Sequence, residues 1–253
     1  MSDETFMIRM RIALQKLIDL GNRRLVPFDE AFDFGYLAHL MVCELFASKA
    51  PKPFAVTTIA EPYVTILGYS RSSREELVSQ AEMFADPGVF CSVDWERFDV
   101  KKMPSSWQEG KRADFELTAL PTIRYMDPDS KRNVEQDIFL YELKYAKLEK
   151  RSFVRRYDVY MNWVKDQLNL AGGTRLTNCY VTRAYKKKLV RSTHWSQQDR
   201  PKYRFITRSV SETVGSLIIT DSEKFSLLIR NGIGFHRTFG FGMIRLCAPG
   251  THF

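Results

Sequence analysis

Cysteine is scarce and scattered. Cys43, Cys91, Cys179 and Cys247 lie far apart in a chain of 253 residues. With no Cys-x-x-Cys pair and no histidine at ligand spacing, the pattern argues against zinc and against a disulfide framework. All four read as reduced, mostly buried thiols. No apolar run approaches the roughly 20 residues that a bilayer-spanning helix needs. Met1-Ser2-Asp3-Glu4 lacks the basic-then-apolar pattern of a secretory leader. A protein kept in the cytoplasm, with no membrane attachment, is therefore expected. Clusters of Asp and Glu able to hold paired divalent cations are missing too: Asp127-Pro128-Asp129 reads as a turn and has no glutamate at calcium-loop spacing. No cofactor is expected.

What is present is apolar content and positive charge. Hydrophobic residues make up 44% of the chain and aromatics 13%, and no stretch is biased enough to stay unfolded. The length suits one large domain or two small ones. A formal charge of +8 and a pI near 9.3 favour a polyanionic partner, because each Lys or Arg set on a phosphate releases condensed counterions.

The apolar pattern gives an order of elements. Ile8, Met10, Ile12 and Leu14 alternate with Met7, Arg9, Arg11 and Ala13, a strand with a basic exposed side. A looser stretch with Gly21-Asn22-Arg23-Arg24 follows. Asp33 then precedes a helical run whose buried stripe is Phe34, Leu37, Met41 and Leu45. Residues 54–59 and 63–69 are β-branched and aromatic runs around Ala60-Glu61-Pro62, a hairpin. Ser72-Ser73-Arg74-Glu75-Glu76 carries the Ser-x-x-Glu capping pattern of a second helix, and a strand over 93–100 completes βαββαβ.

The second half repeats that order. A strand is expected over 114–125, then a charged excursion over 127–151 and a helix over 155–170 closed by Gly172-Gly173. Strands around 178–183 and 213–219, a helix from Asp221 to Ile229 and a final strand over 241–247 follow. The expected class is α+β: two tandem ferredoxin-like, RRM-like βαββαβ domains. They span 1–103 and 112–253, joined where Pro104, Ser105, Ser106 and Gly110 cluster.

Between the last helix and the last strand lies Gly232-Ile233-Gly234-Phe235-His236-Arg237-Thr238-Phe239-Gly240-Phe241-Gly242. Glycine reaches backbone conformations that other residues avoid, and its missing side chain lets a phosphate or base approach peptide N–H groups. Arg237 adds a contact to phosphate or a fork to a guanine edge. This Gly-hydrophobic-Gly, five residues, Gly-hydrophobic-Gly pattern before a closing strand resembles the signature of the CRISPR-associated RNA-processing endoribonucleases, and most of all their CasE branch. In the first helix, Tyr36-Leu37-Ala38-His39 and Leu45-Phe46 match that branch's Tyr-x-x-His and Leu-Phe at the same spacing. Tyr160-Met161-Asn162-Trp163-Val164 and Gly215 to Asp221 agree more weakly. Extra residues at 15–32, 127–151 and 184–205 depart from the pattern, as does His236, and both a type I-E system and a type IV system stay open.

The resemblance implies an enzyme that grips the hairpin of a CRISPR repeat RNA and cuts it at the 3′ base of the stem. It would stay on the crRNA 3′ hairpin beside the other subunits of a class 1 CRISPR effector complex. The 2′-hydroxyl attacks the adjacent phosphate, giving a 5′-hydroxyl and a 2′,3′-cyclic phosphate. That reaction needs a base, an acid and positive charge. His39 is the candidate base or acid and Tyr36 its phosphate-orienting or proton-sharing partner; three apart on a helix, they share a face distinct from the apolar stripe, directed to a cleft between domains. His236 is a rival histidine, read as a loop contact to RNA. Charge for the transition state could come from Arg23 and Arg24, or from Lys144 and Arg237. The grip falls to Gly232, Gly234, Gly240 and Gly242 and to a basic segment with Arg183, Lys186, Lys187, Lys188, Arg191, Arg200, Lys202 and Arg204. Tyr185, His194, Trp195 and Tyr203 are interleaved with these cations, a mixture suited to folded RNA. Two rivals stand beside this reading: a non-catalytic crRNA-binding subunit of the same kind of complex, and a general RNA-recognition protein. The Tyr36/His39 pair weighs against the first, and the lack of a Lys-Gly-Phe-Gly-Phe-Val-type strand against the second.

Overall fold

The computed structural model describes residues 4–27, 32–128, 130–148, 154–194 and 202–252, with the side chains of 148, 193 and 194 excepted. Trp195, Arg200 and the His194 side chain lie outside the described residues. The strands are β1 (Phe6–Ala13), β2 (Phe54–Ala60), β3 (Tyr63–Ser70), β4 (Asp99–Lys102), β5 (Arg112–Ala119), β6 (Thr122–Met126), β7 (Asn133–Asp137), β8 (Thr174–His194), β9 (Lys202–Ile219) and β10 (Ile244–Cys247). The α-helices are α1 (Leu14–Arg23), α2 (Phe34–Phe46), α3 (Arg74–Phe84), α4 (Pro87–Phe90), α5 (Ile138–Leu148), α6 (Arg156–Ala171) and α7 (Ser222–Asn231).

Contacts divide the chain into two compact units. The first comprises Met1–Ser105, Lys188–Thr207 and Arg237–Phe241; the second comprises Ser106–Lys187, Arg208–His236 and Gly242–Phe253. Each takes a ferredoxin-like antiparallel sheet.

In the first unit the strand order is β2-β3-β1-β4. Ile8, Met10 and Ile12 face Gly68, Ile66 and Val64 across the ladder and are wholly buried. The period of two therefore sends one side of β1 into the core, beneath Leu37, Met41, Leu45, Leu77 and Ala81 of the helices. The Ser73–Glu76 capping box that starts α3 forms as expected. Two local expectations need correction. The stretch after β1 is not loose: Leu14, Leu17 and Leu20 repeat every three residues, and burial of Leu17 and Leu20 folds α1 against the core. The strand expected over 93–100 begins only at Asp99, because Asp94 caps a one-turn 3-10 helix over Trp95–Arg97.

In the second unit the order is β10-β5-β9-β8, with β6 and β7 pairing separately. The single strand expected over 114–125 breaks at Leu120-Pro121, since proline ends a ladder. The charged excursion carries β7 and α5. Asp221 caps α7 by accepting from the Lys224 N–H. The basic segment is mostly strand: β8 runs for 21 residues. Cys43, Cys179 and Cys247 are only half-buried and Cys91 is exposed, against the expectation of buried thiols. No described helix is long and apolar enough to cross a membrane.

Candidate active site

Asp33 starts the site. Its carboxylate accepts from the Tyr36 N–H at 3.3 Å, capping α2. It also accepts the Val190 N–H at 3.0 Å and lies 3.6 Å from an Arg191 guanidinium nitrogen. One buried acid thereby ties the first turn of α2 to the end of β8.

Tyr36 and His39 lie one turn along the helix, 6.2 Å apart by ring centroid. Phe239, inside the glycine loop, covers both. Its ring stacks on Tyr36 at 5.9 Å and 13° and meets His39 edge-on at 4.7 Å. Arg191 sits over the Phe239 ring, 4.0 Å from the centroid. Tyr203 closes the side of Tyr36 at 6.2 Å, and its hydroxyl donates to the Arg24 carbonyl at 2.7 Å. Gly35 is needed here, because a Cβ would run into the Phe239 carbonyl oxygen.

Burial also sets the chemistry. Tyr36 is 4% exposed; burial and the neighbouring Tyr203 push its phenol up to about 12. The sequence sets Tyr36 and His39 on a face distinct from the apolar stripe, but that face is not open: Tyr36 is buried beneath the stacked ring of Phe239 from the glycine loop. His39 remains half-buried. Burial lowers its pKa, and the positive charges of Arg191 and Lys52 lower it further, so the imidazole is neutral near pH 7. Its Nδ1 lies 3.5 Å from Cys43 Sγ, one helical turn on.

The second unit holds another polar cluster. His236 Nε2 is 2.7 Å from Glu135 Oε1 on β7, and Arg124 donates to the other oxygen from Nε and a terminal nitrogen at 2.9 and 2.7 Å. Arg208 adds a contact at 3.4 Å, and Arg124 stacks over Phe235 at 3.8 Å. Burial alone would raise Glu135, but the hydrogen bonds and charges of His236 and Arg124 hold it at about 2. A carboxylate can only accept, so His236 Nε2 carries the proton. Gly232, Gly234, Gly240 and Gly242 all take positive φ, between 63° and 86°, and His236 does so at 62°. The bulge is therefore built on left-handed backbone that glycine adopts without strain.

These observations can be set against known proteins. The family model described as "CRISPR associated protein" matches residues 5–247. The chain belongs to that CRISPR-associated family. Among solved structures the same fold occurs in Thermus thermophilus Cse3 bound to an RNA representing a pre-cleavage complex, with 14% identity, 96% of this chain and 99% of that chain covered, and a TM-score of 0.57. It recurs in the CRISPR endoribonuclease Cse3 bound to a 19-nucleotide RNA, at 14% identity, the same coverage and a TM-score of 0.56. A chain of a CRISPR RNA-guided surveillance complex in a pre-nicking state shares it at 12% identity, the same coverage and a TM-score of 0.55. No curated protein matches by sequence.

Of the residues singled out from sequence, this CRISPR-associated protein brings Tyr36, His39, Arg191 and Gly240 together in its first unit, with Arg24 joined through Tyr203. Arg24 pairs with Glu44, and Arg23 turns to Asp86 at 3.8 Å. Lys188 lies over Phe205 at 4.7 Å in the same unit, and Arg237 is half-buried in a one-turn 3-10 helix. In the second unit Arg183 stacks over Tyr185 at 4.6 Å, Lys186 and Lys144 are exposed and Lys187 is half-exposed. Gly232 caps α7, Gly234 packs on Trp163, and Gly242 donates to the Thr118 carbonyl at 2.8 Å. Sequence reasoning missed Phe239, Cys43, Lys52 and Glu135. Cys43 was within reach, at four residues from His39 on a helix; the others meet the histidines only through tertiary packing.

Proposed function

We propose that this protein is an endoribonuclease that binds the hairpin of a CRISPR repeat RNA and cuts precursor crRNA at the 3′ base of the stem. The observation that carries the reading is the neutral, half-buried His39, held between Cys43 and Phe239 with the Arg191 charge nearby, on a helix whose Tyr-x-x-His matches the pattern of that branch. A neutral imidazole suits the base that takes the proton of the attacking 2′-hydroxyl, worth roughly 10²–10⁴-fold in rate. The tautomer required places Nδ1–H towards Cys43 Sγ and leaves Nε2 to accept. Arg191 and Lys52 supply positive charge for the phosphorane; as the P–O5′ bond breaks the leaving oxygen takes a proton from the imidazolium just formed or from water, and the products are a 5′-hydroxyl and a 2′,3′-cyclic phosphate. Tyr36, buried, acts as a positioning residue for His39.

In this reading 1–103 carries the catalytic helix and 112–253 most of the RNA grip, through the glycine loop and the exposed cations of β8. The protein keeps the crRNA hairpin after cleavage and joins other subunits of a class 1 CRISPR effector complex. The solved relatives bound to RNA, and the surveillance-complex chain of the same fold, support that role.

The test is incubation with labelled repeat RNA in EDTA, comparing wild type with His39→Ala for cleavage and for binding. Cleavage that persists in EDTA and vanishes in the variant while binding holds is expected. Undiminished cleavage by His39→Ala would overturn the assignment and turn attention to His236. Tight binding without cleavage by either protein would make the chain a non-catalytic crRNA-binding subunit.

A further inference from the structure

The edge of the second unit's sheet brings Glu116 together with Cys247 and His252, five residues apart near the end of the chain. In the antiparallel pairing of β10 with β5, Arg245 faces Glu116 and Cys247 faces Asp114. Alternation sends Phe115, Leu117 and Ile244 into the core, so Asp114, Glu116, Arg245 and Cys247 share the opposite face. After β10 the chain turns back across that face. Asp114, wholly buried, organises the turn: it accepts the Gly250 and Thr251 N–H groups at 2.7 and 3.1 Å, and Ser216 and Arg112 secure its other oxygen. The turn sets His252 Nε2 3.4 Å from Glu116 Oε1. The ligand atoms of Glu116, Cys247 and His252 all lie within 4.8 Å of one another, on three half-buried residues.

We propose that Glu116, Cys247 and His252 form a site for a borderline divalent cation, Zn²⁺ in the first place. Thiolate, imidazole and carboxylate together are the donors that Zn²⁺ favours, and three of them leave one tetrahedral position for water or a further ligand. Metal–donor distances of about 2.0–2.3 Å require the three groups to close by about an ångström, within the reach of χ rotations on half-buried side chains. Support is already built. Arg245 holds the second Glu116 oxygen at 2.8 Å, leaving Oε1 directed at His252, and Asp114 fixes the turn that carries the imidazole. Outer partners of this kind orient metal ligands in established sites. Binding exchanges the Cys247 proton for the cation, so one H⁺ leaves per metal bound at sulfur. The site would clasp residues 248–252 onto the β5–β10 pair.

The experiment uses the full chain, stripped with a chelator and dialysed, titrated with Co²⁺ and then with competing Zn²⁺. Wild type, Cys247→Ser, His252→Gln and Cys43→Ser are compared; Cys43 also has a histidine within reach. The expected result is one equivalent of metal and a near-ultraviolet thiolate-to-Co²⁺ band in wild type and Cys43→Ser. The band should vanish in Cys247→Ser, and affinity should fall at least tenfold in His252→Gln. Metal-free variants that match the wild type by circular dichroism exclude misfolding as the cause. No band in the wild type, or a band that survives Cys247→Ser, would overturn the proposal. Neither readout depends on RNA cleavage.

Discussion

Replacing Phe239 by alanine tests whether the glycine loop holds the histidine in place. The ring contributes a stack on Tyr36, an edge contact to His39 and a cation–π contact from Arg191. Two aromatic pairs are worth about 0.5–1.5 kcal/mol each beyond area burial, and an Arg over a ring about 0.5–1 kcal/mol or more. Removing a half-buried phenyl adds about 0.8–1.5 kcal/mol of lost transfer energy, half the value for a fully buried side chain. These terms overlap, so the expected destabilisation is about 2–4 kcal/mol, or about 5–12 °C in the first thermal transition for a chain of this size. Phe239→Leu keeps apolar bulk and should recover about half. Cleavage by Phe239→Ala should fall at least tenfold at saturating RNA, because His39 loses one wall of its pocket, while hairpin affinity changes less. Thermal unfolding by circular dichroism and single-turnover cleavage read the two effects. A melting shift under 1 °C together with an unchanged rate would refute the reasoning.

Three further outcomes are expected. With the His39 pKa below its ordinary 6.5, the unfolded chain takes up this proton more readily than the folded one. The stability contribution is therefore fully present above pH 6.5 and is lost as pH falls towards the folded value. As a base, His39 gives kcat/KM an acid limb below pH 6.5; Arg191→Gln removes positive charge and should move that limb upward, and a limb that moves down would contradict the assignment. Glu135, held at about 2, stabilises the second unit above about pH 4.5 and loses that contribution as pH falls towards 2. Glu135→Gln should cost about 3 kcal/mol at pH 7, with melting curves that converge with wild type in acid; a constant offset down to pH 3 would argue otherwise. Replacing Lys186, Lys187 and Lys188 by alanine should lower the slope of log affinity against log salt by about 2–3, and an unchanged slope in a filter-binding titration would remove them from the RNA contact.

The elements that follow local rules were legible in the sequence. The alternation of Ile8, Met10 and Ile12, the Asp33 and Asp221 caps and the Ser73–Glu76 box each declare an element within a few residues. What escaped depends on partners distant in the chain. The α1 stripe of Leu14, Leu17 and Leu20 was masked by Gly21-Asn22-Arg23-Arg24, and only the core that accepts Leu17 and Leu20 makes it a helix. For β8 the sequence marks a strand only around 178–183, because beyond it cations outnumber apolar residues until Leu189 and Val190, which are buried. For the site, the glycine pattern and Tyr36-x-x-His39 marked the right places. Periodicity sets Tyr36 off the apolar stripe and does not show its burial, because the ring that covers it comes from the loop, some two hundred residues later.

The first unit's site is finished late in synthesis. Tyr36 and His39 leave the ribosome early, yet Asp33 waits for the Val190 amide 157 residues on, Arg24 for Tyr203 after 179, and the ring over His39 for residue 239. At about 5–20 residues per second, ten seconds or more separate the histidine from its surroundings. A truncated product ending at residue 105 would carry the whole Tyr-x-x-His motif but no pocket around it. An abandoned nascent chain therefore has no assembled site with which to meet cellular RNA, and the motif cannot be lifted out as a separable cassette.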